Sequence, residues 1–208
     1  MDTSQISALL RPFISLSEEQ LTQTLIYINL LLQWNSRVNL TAVRRPEEMV
    51  TRHFGESFFA ASRLLAAGAL RSVVDLGSGP GFPGVPLAML APQVRVTLIE
   101  SNNKKAAFLN EVVRALGLGN VTVFSRRGED YPGMAELVIM RAVERFDVSL
   151  AVALRMVGPG GRLALMIGKG QVEKAGELGS AIAWSEPIDV PGGHSRVLLV
   201  GTKAVNVG

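Results

Sequence analysis

The chain has 208 residues, 48% of them hydrophobic, two histidines, no cysteine and a formal net charge of +3. This suffices for one substantial core with a small helical cap, and the lack of cysteine excludes disulfides, thiolate metal sites and a cysteine nucleophile. His53 and His194 are too few and too isolated for a metal-ligand pattern, so no metal is expected.

Residues 1–70 hold six arginines and six acids, leaving fifteen bases and twelve acids to 71–208, so no basic tail exists. A nucleic-acid contact would have to use folded pairs such as Arg44-Arg45, Arg52-His53, Lys104-Lys105 and Arg126-Arg127. The first residues lack a basic stretch followed by an apolar one, and Arg63 interrupts the apolar run 58–70. The expectation is a soluble, cytoplasmic protein, monomeric by default.

Ser17 and Gln20 have the spacing of a capping box, and Leu21, Leu25, Ile28 and Leu32 then recur at helical intervals, predicting a helix to about Trp34. A polar break to Thr41 follows, with Trp34 as an anchor between the N-terminal helices and the sheet. Pro46, Glu47 and Glu48 start a second helix, bent at Gly55 and ending near Ala67, which carries Arg52, His53, Glu56 and Ser57. Residues 1–70 thus read as a helical extension packed on a core formed by 71–208.

The decisive stretch begins at Ser72. Val73, Val74 and Leu76 suit a strand buried on both faces, and the next eight residues contain four glycines and two prolines before a helix. Gly77, Gly79 and Gly81 can hold a backbone against a flat or anionic ligand, with the following helix N-terminus facing it. Gly79, Gly81 and Gly84 also satisfy the G-x-G-x-x-G dinucleotide pattern, which leaves a nicotinamide oxidoreductase as an alternative. Asp75 separates the readings: D-x-G-x-G-x-G resembles the first motif of Rossmann-like S-adenosylmethionine (SAM) methyltransferases. Glu100 closes the next strand, 94–100, about twenty residues on, where a carboxylate can accept ribose hydroxyls.

A helix over 104–116, a strand over 121–124, the loop Ser125 to Tyr131, a strand over 137–140 and a helix over 147–157 follow. Gly158 to Gly161 reads as a turn before a fifth strand, 162–167, ended by Gly168-Lys169-Gly170. Segments 183–190 and 196–200 read as an antiparallel pair at the sheet edge. The fold class is α/β: a Rossmann-like, mostly parallel seven-stranded sheet with one antiparallel strand and an N-terminal helical cap.

Trp34-Asn35, Asn39-Leu40-Thr41, the Arg52 to Ser57 segment, the Asp75 to Gly84 loop, Glu100 to Leu109, Arg141-Ala142-Val143 and Lys169-Gly170 together resemble the bacterial 16S rRNA guanine-N7 methyltransferase G family, also called glucose-inhibited division protein B. The likeness covers nearly the whole chain. It implies methyl transfer from SAM to N7 of one guanine in 16S rRNA, on free RNA or on a small-subunit particle. It implies further that Asp75, Gly77, Gly79, Gly81 and Phe82 line the methionine and ribose side, that Glu100 binds the ribose, and that Gly128 and Glu129 border the adenine. Arg141 would stand beside the methyl-transfer site, and Arg127 and Lys169 would contact RNA. The family's H-x-x-D-S motif has Glu56 in place of the aspartate, which leaves the roles of His53 and Glu56 open. The same cofactor with another RNA or a protein as acceptor is the alternative function, and a non-catalytic RNA-binding module is a third.

Overall fold

The structure is a computed structural model and describes residues 1–142, 145–179, 181–193 and 195–205. Val143 of the Arg141-Ala142-Val143 motif, and His194, lie outside the described residues.

The strand–helix alternation builds the central sheet. Its strands are β1 (Ser72–Leu76), β2 (Arg95–Ile99), β3 (Val121–Phe124), β4 (Ala135–Arg141), β5 (Val157–Gly168), β6 (Ile182–Trp184), β7 (Ile188–Asp189) and β8 (Arg196–Lys203). Their order is β3-β2-β1-β4-β5-β8-β6, and β7 pairs with β8. β3, β2, β1, β4 and β5 are parallel, and only β8 runs against them, because β6 and β7 are each antiparallel to β8. The expected single reversed strand is therefore β8.

Two details differ from the sequence reading. Segment 183–190 is two short strands on one edge of β8, giving eight strands over seven sheet positions; Pro187, which has no N–H to donate, sits in the break. The glycines at 158–161 do not form a separate turn but lie within β5. Ala135 pairs with Val157 and Leu137 already with Arg162, so the extra residues bulge out, with Gly160 at φ 69°.

Helices α1 (Thr3–Leu10), α2 (Glu18–Asn35), α3 (Pro46–Met49), α4 (Glu56–Ala66), α5 (Gly84–Leu90), α6 (Asn103–Ala115), α7 (Phe146–Met156) and α8 (Val172–Leu178) flank the sheet. Val50–Gly55 forms a π-helical turn between α3 and α4, where the sequence predicts a bend. α1 starts with a capping box of Asp2 and Gln5, the same spacing that located α2. One sheet face is covered by the N-terminal helices with α5 and α6, around Tyr27, Leu31, Phe54, Phe58, Phe82 and Phe108. The other is covered by α7 and α8, around Val152, Met156 and Ala175. Trp34 packs edge-on against Phe108 at 5.6 Å, and its indole N–H donates to Glu111 at 3.0 Å, so these contacts tie α2 to α6, where the sequence reading expected an anchor on the sheet.

The helical layer reaches the glycine loop through Tyr27, whose hydroxyl donates to the Pro80 carbonyl. Gly81 has φ 97°, and a Cβ there would sit 2.4 Å from Tyr27 Oη and 2.8 Å from Val85 Cγ2. Gly81→Ala should therefore lose about 2–4 kcal/mol of stability through strain and overpacking. Urea denaturation measures this, and a loss below about 1 kcal/mol would contradict the packing described.

Candidate active site

The carboxyl ends of β1 to β5 share one edge of the sheet, the edge where open α/β sheets bind ligands. At the end of β1 the chain turns through Gly77 (φ 73°) and Gly79 (φ 56°), a conformation glycine adopts at little cost. The N–H groups of Gly77 and Ser78 donate to Ile99 O at 3.0 and 2.9 Å, laying the loop across the end of β2.

Two carboxylates pin this loop. Glu100, 8% exposed, accepts from Gly79 N at 2.9 Å through Oε2 and from Asn102 N at 2.7 Å through Oε1. Each oxygen retains a lone pair for a ligand hydroxyl. Asp75 is fully buried; its Oδ2 accepts from Gly84 N at 2.9 Å and its Oδ1 has no partner. Burial pushes the Asp75 carboxyl up to about 7, although the Gly84 amide and the Arg141 charge favour the ionised form. A buried carboxylate with a free oxygen suits a cationic ligand group, which would restore full ionisation.

Beside these residues opens a cleft with an apolar floor of Leu76, Ile99 and Val152 and a polar rim. Gly77, Glu100, Arg127, Gly128 and Glu129 all line it, so five of the predicted site residues converge here. Gly128 fits because a Cβ would lie 2.5 Å from Leu76 Cδ1. An apolar slot beside Glu100, whose oxygens keep lone pairs for hydroxyls, with the buried free oxygen of Asp75 behind the loop, has the chemistry that the adenine, ribose and cationic methionine parts of SAM call for. These residues fit that cofactor.

Three of the other predicted residues, Phe82, Lys169 and Arg141, lie outside the cleft. The Phe82 ring is buried outside the cleft, stacked on Tyr27 at 5.3 Å and on His53 at 5.1 Å. Lys169 follows β5 at the surface and pairs with Asp189 at 2.8 Å. Arg141 ends β4, and its guanidinium is enclosed by protein acceptors: Nη1 donates to Ser57 Oγ at 2.8 Å and His53 O at 3.3 Å, and Nη2 to Glu56 Oε2 at 3.0 Å and to Arg52 O. Burial lowers it to about 10, still charged at neutral pH. Ala142 follows at φ 48°, a strained position for a residue with a Cβ.

Glu56 is 2% exposed, and its second oxygen accepts from Arg196. The longer side chain, where the family motif has aspartate, thus joins two arginines. Sequence reasoning missed Arg196 and Ser57 as partners, since Arg196 is 140 positions from Glu56 and no local pattern links them. Burial outweighs both arginines and raises the Glu56 carboxyl above its ordinary value.

His53 lies 2.7 Å from Thr41 Oγ. Burial, then Arg141 and the nearby Arg52 and Arg196, lower its imidazole to about 3. This folded value lies below the ordinary one, so the unfolded chain takes up the proton first. The resulting stability is complete above about pH 6.5 and is lost as pH falls toward 3. His53→Gln lacks this term, so its stability deficit against wild type should shrink on acidification by up to about 1.4 kcal/mol per pH unit below 6.5. Urea denaturation at pH 7, 6 and 5 reads the deficit, and a constant one would contradict the neutral, buried imidazole.

Residues 20–193 match the model of the family described as rRNA small subunit methyltransferase G. The Ribosomal RNA small subunit methyltransferase G of Xanthomonas euvesicatoria is 44% identical over 170 residues, covering 80% of this chain and 78% of that one. The protein of the same name from Stenotrophomonas maltophilia is also 44% identical, with the same coverage. Among solved structures, the magnesium protoporphyrin IX methyltransferase of Synechocystis, with bound SAM, superposes with a TM-score of 0.66 at 14% identity, over 86% of this chain and 97% of that one. A SAM-dependent methyltransferase from Aquifex aeolicus gives 0.61 at 18% identity, over 80% and 97%. The structural likenesses carry the Rossmann-like methyltransferase fold alone; the sequence matches carry more, and by them the chain belongs to the rRNA small subunit methyltransferase G family.

Proposed function

We propose that this chain transfers a methyl group from SAM to N7 of one guanine in 16S rRNA, acting in the cytoplasm as a monomer. The observation that carries the reading is the pinned loop itself: Glu100, with spare lone pairs, borders an apolar slot, and Asp75, fully buried with a free oxygen, stands one residue before the Leu76 that lines it. The names of the relatives point to small-subunit rRNA as the acceptor.

SAM, when bound, supplies an electrophilic methyl on a sulfonium sulfur. Asp75 offers its free oxygen to the cationic methionine end, Glu100 accepts from the ribose, and Gly128 and Glu129 border the base. The slot beneath excludes water from the apolar part of the ligand. Guanine N7 already presents a lone pair, so no proton has to leave before attack. The side chains agree with this: His53, at about 3, is a poor base, and Glu56 is held by two arginines. The protein's work is then positioning, together with stabilisation of the charge that develops on the guanine. Arg127 at the cleft rim and Lys169 beyond β5 are exposed cations suited to RNA phosphates. N7 lies in the deep, narrow major groove of A-form RNA, so the target guanine belongs to a loop or to a region open during assembly.

Labelled SAM, small subunits and stripped 16S rRNA, both from cells lacking this protein, test the reading. Label at a single guanine, released by chemistry selective for N7-methylguanine, is the expected result. Label confined to another RNA or to protein would contradict the proposed acceptor.

A further inference from the structure

Glu56 is a buried carboxylate with two arginines on it, and the two are not equivalent. Arg141 is only 10% exposed in its side chain, and both of its terminal nitrogens are saturated by protein acceptors. Two of those acceptors are the Arg52 and His53 carbonyls of the π-helical turn, so Arg141 ties the end of β4 to the helical layer. Four of its five donors are consumed. Arg196 is different: one third of its side chain is exposed, and its Nη2 donates to Glu56. Its buried Nε has no partner, and Nη1 makes no hydrogen bond among the described residues.

Place and charge agree. Arg196 opens β8 opposite Gly168 of β5, which puts it on the carboxyl edge of the sheet. The carbonyl of Ser195, one residue before, accepts from Lys169 N at 2.8 Å, so Arg196 adjoins an exposed lysine. One carboxylate faces two guanidinium groups, which leaves a net positive charge with unused donors. An ionic group so placed calls for an anionic or oxygen-rich partner.

We infer that Arg196 is the guanidinium this site turns toward an acceptor oxygen of the RNA, with Glu56 as the carboxylate that aims it and Arg141 as the anchor beneath. The inference rests on the rRNA reading above. The acceptor oxygen belongs to a phosphate or to guanine O6, and a guanidinium held at one nitrogen can meet either with its remaining donors. Glu56 and Arg141 are positioning residues on this account.

Arg196→Gln and Arg196→Lys, assayed beside wild type on small subunits and on 16S rRNA, test it. Arg196→Gln should lose at least about tenfold in kcat/KM for the RNA with SAM affinity within about twofold of wild type, and Arg196→Lys should fall between them. A phosphate contact would lower the log–log salt slope of RNA binding by about 0.7–0.9, whereas a contact to guanine O6 would leave the slope and reduce kcat. Either pattern supports the inference. Unchanged RNA kinetics in Arg196→Gln would overturn it and leave the rRNA reading intact. Should Arg196→Gln not fold, wild-type kinetics in Arg196→Lys would overturn it equally, and a several-fold loss there would support it. A wild type that methylates no small-subunit RNA would remove both.

Discussion

The hydrogen bond from the Gly84 amide to Asp75 is the constraint on which the glycine loop, the proposed cofactor end, depends. It holds the last turn of a buried strand against the first turn of the next helix. It also explains why position 84 is glycine, since a Cβ would lie 2.6 Å from Asp75 Oδ2. A charge-assisted bond of this kind contributes about 1.5–3 kcal/mol, enough to select one conformation of a loop with three positive-φ glycines. Glu100 repeats the device from the neighbouring strand, clamping Gly79 to the start of α6. Both carboxylates keep acceptor capacity while they hold the backbone. The proposed cofactor site is therefore built from groups that also maintain the loop.

The N-terminal helices take part in this construction. Tyr27 reaches the loop at Pro80, and Phe82 inserts among Tyr27, Phe54 and His53. On the far side, the π-helical turn widens the helix just where Arg141 collects two of its carbonyls. A change in the aromatic layer would thus be felt at both the glycine loop and the end of β4. Glu56 extends the same network to β8, so three segments distant in sequence meet at one buried carboxylate.

Much of this was legible in the sequence because the signals are local. β3 was bounded correctly by its short apolar and β-branched run, β1 was placed by its run from Ser72, and β2 was placed to within one residue at each end. Asp75 and Glu100 stood out by spacing from the glycines. What escaped depends on tertiary partners. The bulge in β5 is set by register against β4, which no window of residues records, and the break between β6 and β7, marked locally only by Pro187, shows fully in the register against β8. α8 is seven residues long and buries only Ala175 fully, so its periodicity is weak. The resemblance implied that Phe82 lines the ligand, whereas its ring packs against Tyr27. Arg196 carries no motif; its pairing with Glu56 is visible only in three dimensions.

The central claim is that Asp75 supplies a buried negative charge which a cationic cofactor completes, and the direct measurement is SAM binding by calorimetry from pH 5.5 to 7.5. Binding favours the ionised form of a carboxyl that burial holds at about 7. Affinity should accordingly rise with pH, by up to about tenfold per unit below 7, with a proton released into the buffer. Asp75→Asn keeps an acceptor for the Gly84 amide and should bind more weakly with a flat pH profile. A wild type whose affinity does not change with pH, or a variant that shows the same slope, would contradict the account.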